Sequence, residues 1–249
     1  MRTLVIGLAV VASLTAVPAG AQVIDDNFNG EGSGSSVLNY GSFANFDVTR
    51  GSVDLITQGF AGLNCFGNTG RCVDLGGSTA GSDNGMLTSK ASYAFNVGDT
   101  VRLSFQLSGN QRGGSDGDGD VFGSGFSFSG DTTLINYGFN YNGSDTIVFP
   151  ALTTSGISTS SSVASIAGYS LRSVFFTAGS AGSLTFNIYS NDNDDFGPIL
   201  DEVSLSVTPA AAAPGVPEPA TWAMMMLGFG GIGQALRRRS RMSARIRFA

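Results

Sequence analysis

Hydrophobic and polar positions alternate along much of residues 23–207. Val101, Leu103, Phe105 and Leu107 are interleaved with Arg102, Ser104 and Gln106. Phe122, Phe126 and Phe128 share one parity, as do Leu184, Phe186 and Ile188, and later Val203, Leu205 and Val207. A period of two places one face of a strand on a core and the other in water. Turn signals separate these runs at Asn96-Val-Gly-Asp99, Gly113-Gly-Ser-Asp116, Asn142-Gly143, Ala178-Gly-Ser-Ala-Gly182 and Asn191 to Asp195. Roughly eight to ten strands without an amphipathic helix predict an all-β fold, a β-sandwich of the jelly-roll kind. Thr153 to Gly168, rich in Ser and Thr, reads either as a long loop or as a weak edge strand. Asn142-Gly-Ser144 fits a glycosylation sequon, but Asn-Gly is also a favoured hairpin turn, and the turn is the preferred reading.

Both ends depart from this pattern. At the N-terminus Arg2 precedes an apolar stretch from Leu4 to Leu14, and Ala19-Gly20-Ala21 supplies a small-x-small site. Residues 1–21 therefore read as a signal peptide, cut after Ala21 by signal peptidase. The β-domain is expected over 22–207 and an Ala/Pro linker over 208–216. At the C-terminus Pro217-Glu218-Pro219 precedes Trp222, an apolar run from Ala223 to Leu236, and then Arg237, Arg238 and Arg239. The segment 221–236 is expected as a short transmembrane helix. At about 1.5 Å per residue it spans about 24 Å, less than the hydrocarbon core of about 30 Å. Trp222 suits the membrane interface, and the arginines should stay cytoplasmic. Residues 242–249 form a basic tail.

Charge sharpens this division. Residues 22–216 carry eighteen acids and six bases, a net −12, whereas residues 217–249 carry one acid, Glu218, and six arginines. An acidic body argues against nucleic acid as a partner, since phosphate binding needs basic surface. There is no histidine, which removes Ser-His-Asp and Cys-His catalysis and every histidine-ligated metal site. Glycoside hydrolysis needs only two carboxylates, but no pair is marked by its context. The chain is not expected to be an enzyme, and no catalytic residue is assigned. Cys65 and Cys72, in CFGNTGRC, are expected as a disulfide closing a short loop in an exported chain, the alternative being two reduced thiols.

The C-terminal arrangement of Pro217-Glu-Pro219, Trp222 and an arginine cluster resembles the PEP-CTERM sorting signal of Gram-negative bacteria. Pro-Glu-Pro-Ala-Thr-Trp-Ala at 217–223 matches its PEPxxWA variant, and the whole signal would occupy 217–241. The resemblance implies export across the inner membrane and recognition by an exosortase, a membrane transpeptidase-like enzyme. It further implies cleavage near Pro-Glu-Pro, a transient membrane anchor, and display at the surface or in an exopolysaccharide or biofilm matrix. Pro217, Glu218, Pro219, Trp222 and Arg237 to Arg239 would be recognition residues.

A second resemblance is carried by Cys72-Val-Asp-Leu-Gly-Gly-Ser78, Leu103 to Gly113 and Gly197 to Leu205. These are similar to galactose-binding-like jelly rolls, a fold shared by many carbohydrate-binding modules. It implies a candidate structural calcium between first and last strands, with Asp25, Asp26 and Asp201 as ligands; no other cofactor is expected. Two further acidic runs, Asp116-Gly-Asp-Gly-Asp120 and Asn191 to Asp195, offer oxygen ligands. The first lacks the Gly and Glu of an EF-hand loop and reads mainly as a polar hairpin tip. Tyr137, Phe139 and Tyr141 share a strand face and are candidates for stacking on sugar rings, the alternative being a place in the core. A structural or adhesive role near exopolysaccharide leads, with a carbohydrate-binding module-like role as its rival and glycoside hydrolysis behind both.

Overall fold

The computed structural model describes residues 21–79, 85–112, 119–148, 152–192, 195–211 and 219–243. The chain divides into two compact units after Ala210.

Among the described residues the first unit holds thirteen strands: β1 (Ala21–Asp26), β2 (Phe46–Arg50), β3 (Asp54–Thr57), β4 (Arg71–Asp74), β5 (Met86–Ser89), β6 (Tyr93–Phe95), β7 (Thr100–Ser108), β8 (Asp120–Asn140), β9 (Thr146–Val148), β10 (Leu152–Val163), β11 (Ser170–Ala178), β12 (Gly182–Ser190) and β13 (Ile199–Thr208). All their pairings are antiparallel. They run in the order β2-β5-β12-β8-β11-β7-β13-β4-β3, with β1 on β13, β6 on β12, and β9 and β10 on β8.

The 21-residue β8 explains how one sheet becomes two layers. Its first part, Phe122 to Phe128, pairs with β12, and its last part, Leu134 to Asn140, pairs with β11. Between them Ser129, Gly130 and Asp131 are exposed, and the strand turns from one layer into the other. The layers close on phenylalanine. Phe176 of β11 meets Phe126 and Phe128 of β8, each at 5.2 Å between ring centroids, and Phe95 of β6 at 5.3 Å, all edge-to-face. Phe105 of β7 meets Phe122 at 6.4 Å.

The alternation read from the sequence is the alternation of burial. Val101, Leu103, Phe105 and Leu107 are fully buried, while Arg102, Ser104 and Gln106 are partly exposed. The all-β sandwich expected from this pattern is present, with more strands than the expected eight to ten. The additional ones are short, and they break the rule of alternation: β4 is buried at all four positions and β3 at three of four. Thr153 to Gly168 resolves into an edge strand, β10, followed by a loop. Asn142-Gly143 forms a hairpin connection between β8 and β9, which pair at Phe139↔Thr146, with Gly143 at φ 94°.

The second unit is the helix α1 (Pro219–Ser243). A proline at the first helical position is pre-set in φ. The helix runs through the arginines and is longer than the expected 221–236. Among the described residues no helix is long and apolar enough to cross a membrane, so the expected transmembrane helix is corrected to this extent. The reason is compositional: Gly228, Gly230, Gly231, Gly233 and Gln234 dilute the apolar run just before the arginines.

Replacing Phe176 by Ala removes three ring contacts at once. The expected loss is about 3–5 kcal/mol of stability, read as a lower denaturant midpoint at an unchanged slope.

Candidate functional site

At one end of the sandwich the loop between β3 and β4 is closed by a disulfide, Cys65–Cys72, with a Cα–Cα distance of 5.4 Å. The cystine is buried in a small second core with Ile56, Leu63 and Ile199, against which Tyr169 packs. The expected disulfide is thus formed. Beneath it lies Asp201, only 3% exposed, with a carboxylate oxygen within 4.8 Å of both sulfurs. A register break in β13 between Asp201 and Ser204 puts it there, with Glu202 in the left-handed region at φ 51°. Such bulges re-aim a side chain. Asp201 accepts hydrogen bonds from the Phe66 N–H at 3.0 Å and the Glu202 N–H at 2.8 Å. Burial pushes its carboxyl up to about 7, although these two donors oppose the rise. The carboxylate thereby fixes the start of the segment that carries Phe66.

Above this base three loops border a groove of about 490 Å³, lined by Asn64, Phe66, Gln111, Ile166 and Tyr169 among others. The Phe66 and Tyr169 rings meet edge-to-face at 5.6 Å. Ile166 is 79% exposed beside them. Gln111 clamps the Asn64 backbone in both directions: its Oε1 accepts the Asn64 N–H at 2.8 Å, and its Nε2 donates to the Asn64 carbonyl at 2.8 Å. The Tyr169 hydroxyl donates to the same carbonyl at 3.0 Å, and burial raises its pKa. Gln58 donates from Nε2 to Asn64 Oδ1 at 2.7 Å and accepts the Cys65 N–H at 2.8 Å. These bonds hold the groove in shape before any ligand arrives. Among the described residues none of its lining is charged. The surface therefore offers apolar and aromatic contact with amide and hydroxyl groups, and no nucleophile–base pair.

Of the residues singled out from the sequence, Cys65, Cys72 and Asp201 meet at this base; the others lie elsewhere. First and last strands do pair, with Asp25 opposite Ser204 and Asp26 opposite Val203. Asp25, Asp26 and Asp201 nonetheless do not converge: among the described residues, the group of three that meets metal-ligand spacing is Cys65, Cys72 and Asp201, and its sulfurs are bonded to each other. Asp25 is exposed, and Asp26 is occupied by the Phe28 N–H at 2.8 Å and the Asn45 amide at 2.9 Å. Asp26 and Asp201 thus accept amide hydrogen bonds, and the charge of Asp26 adds to the rise at Asp201. Asp116, Asp118, Asn193 and Asp194 fall outside the described residues. Asp120 is buried and accepts the Asn110 backbone N–H at 2.8 Å, and Asp192 accepts the Val121 N–H with both oxygens.

Tyr137, Phe139 and Tyr141 are half-buried, and both tyrosines pack on the main core. Tyr141 meets Phe122 edge-to-face at 5.2 Å and hydrogen-bonds Thr159 and Ser124. Ala19, Pro217 and Glu218 also lie outside the described residues. Ala21 opens β1 opposite Val207. Pro219 begins α1, and Trp222, Arg237 and Arg238 lie along it, Trp222 47% exposed; Arg239 follows in the same helix.

Residues 215–240 match the PEP-CTERM protein-sorting motif. The β-sandwich is thus the body of an exported protein, and the motif marks it as one sorted by an exosortase-type system, with transient membrane anchoring before surface display. No curated protein matches the chain in sequence. Among solved structures, the CBM22-1 xylan-binding domain of Paenibacillus barcinonensis Xyn10C aligns at 14% identity over 79% of this chain and 100% of its own, with a TM-score of 0.35. The K3 cleaved adhesin domain of Lys-gingipain from Porphyromonas gingivalis aligns at 12% identity over 76% and 99%, with a TM-score of 0.35. An endo-1,3-beta-glucanase from Streptomyces sioyaensis aligns at 13% over 79% and 100%, with a TM-score of 0.34. At these scores the likenesses bear on neither ligand nor activity.

Two outcomes test the base of the groove. Asp201 holds a proton up to about pH 7 when folded, but only to about 4 when unfolded. The folded state therefore binds the extra proton between these values, and its contribution to stability is lost as pH rises through that window. Melting temperature should fall from pH 4 to pH 7, and Asp201→Asn should flatten part of that slope. Replacing both cysteines by serine should cost about 2–3 kcal/mol, seen in denaturant titrations.

Proposed function

We propose that this chain is an adhesive surface protein, cut at Pro217-Glu218-Pro219 after export, whose β-domain holds a neutral glycan of the surrounding exopolysaccharide in the groove beside Phe66 and Tyr169. Export and sorting follow from the motif at 215–240. Signal peptidase would leave Gln22 as the first residue, inside β1 and opposite Ser206 of the last strand. On this reading the exosortase takes Pro217, Glu218, Pro219 and Trp222 as its recognition element, with the arginines at Arg237 to Arg239 holding the other side.

One observation carries the binding reading: an uncharged, aromatic- and amide-lined groove on a domain whose body is net −12. Sugar rings present apolar C–H faces and a rim of hydroxyls. The Phe66 ring and Ile166 suit the first, and the amides of Asn64 and Gln111 suit the second. An anionic polysaccharide would find no compensating cation there among the described residues, and a repelling body around it. Binding without turnover is favoured, since no carboxylate lines the groove among the described residues.

Titration calorimetry with neutral and uronic-acid polysaccharides tests this. The expected result is binding to a neutral polymer, weakened roughly fivefold by Phe66→Ala, in line with about 1 kcal/mol for a lost aromatic contact. Binding confined to anionic polymers, or indifferent to Phe66→Ala in a folded variant, would overturn it.

A further inference from the structure

Strand β10 has a strand partner on one edge. Leu152 to Thr154 pair with Thr132 to Leu134 of β8, and Gly156 to Val163 then pair in unbroken register with Asp120 to Ser127. Among the described residues no strand pairs with its other edge. Ile157 and Val163 anchor it in the core, whereas Ser158, Ser160 and Ser162 are exposed. Gly125 lets it lie close, because a Cβ there would run into the Ile157 carbonyl.

Sheet edges invite pairing with other chains, and proteins usually blunt them with charge, cover or brevity. Other outer strands here are blunted in those ways. β2 carries Asp47 and Arg50, with Lys90 at 3.8 Å from Asp47. β3 carries Asp54 and is covered by a bridge from Val37 to Leu55. β1 ends in Asp25 and Asp26, and β9 has only three residues. β10, at twelve residues, has no charge and no proline: its sequence is LTTSGISTSSSV.

We infer that β10 is a self-association edge, on which a second copy of this chain docks its own β10 antiparallel across a two-fold axis. Three points select a second copy as the occupant. Isologous pairing requires a strand complementary to itself. Ser and Thr hydroxyls both donate and accept, so a serine ladder satisfies that requirement in either direction. The body, net −12, repels its copies over most of its surface, whereas this edge brings no carboxylate of its own to the contact. The sheet would then continue from one molecule into the next. This association goes beyond glycan binding and does not involve the groove, so Phe66→Ala should leave it intact.

Sedimentation velocity on the purified chain in mild detergent, with amide exchange read over residues 156–163, tests the inference. A reversible monomer–dimer equilibrium is expected, tightened by added salt, which screens the repulsion between acidic bodies. Exchange in β10 should slow as protein concentration rises. The double variant Ser160→Lys and Ser162→Lys should weaken the dimer at least about tenfold, by setting like charges against each other. Thr49→Lys, an exposed position on β2, should leave it unchanged. A chain that stays monomeric at every concentration overturns the inference. So does a dimer untouched by the β10 lysines, as association through α1 would be, or β10 protection that ignores concentration.

Discussion

The constraint on which the rest depends is that a single strand belongs to both layers of the sandwich. β8 pairs with β12 before its turn at Ser129 to Asp131 and with β11 after it. The phenylalanines of its first part are thereby carried over the inner face of β11, where Phe176 waits between them. Edge-to-face contact among these rings adds to the area they bury. With the two layers held by one strand, the remaining elements hang from fixed positions. β7 and β13 extend one layer toward the disulfide end, and β10 completes the free edge of the other.

From that frame the groove follows by a chain of polar contacts. The break in β13 turns Asp201 inward, Asp201 holds the Phe66 N–H, and the disulfide returns the chain to β4. Loops from β7 and β10 then lock onto Asn64 through Gln111 and Tyr169. Several acids, some of them singled out from the sequence, make contacts of this kind. Asp26, Asp54, Asp120, Asp192 and Asp201 each accept an N–H donor from a loop or a strand start. In a glycine-rich chain with many turns, carboxylates that cap loose amides replace the regular ladder where it ends.

How much of this was legible varied with sequence distance. The alternation at Val101 to Leu107 foretold both strand and face, since period two is a local signal. β3 and β4 were not legible, because strands buried on both faces lose that signal within four residues. The disulfide was legible from its spacing and the export signal together. The groove was not. Phe66 stands in the cystine loop, but Gln111 and Tyr169 come from loops far along the chain, and only the topology brings them together. Tyr141 shows the converse: its strand face is a local signal, while the neighbours that hold it half-buried against the core, Phe122 and Thr159, come from elsewhere in the fold. At the C-terminus the three-part pattern was specific enough to be recognised from about 25 residues, but the glycines that make its helix a poor membrane span count only in the summed hydropathy.

The central claim is that this β-domain reaches the surface by sorting at its C-terminus, and intact mass of the mature chain from its native envelope tests it most directly. The account predicts a chain starting at Gln22 and ending near Pro217 to Pro219, recovered from the surface or matrix fraction. A chain retaining Arg237 to Arg241 in the inner membrane would contradict it.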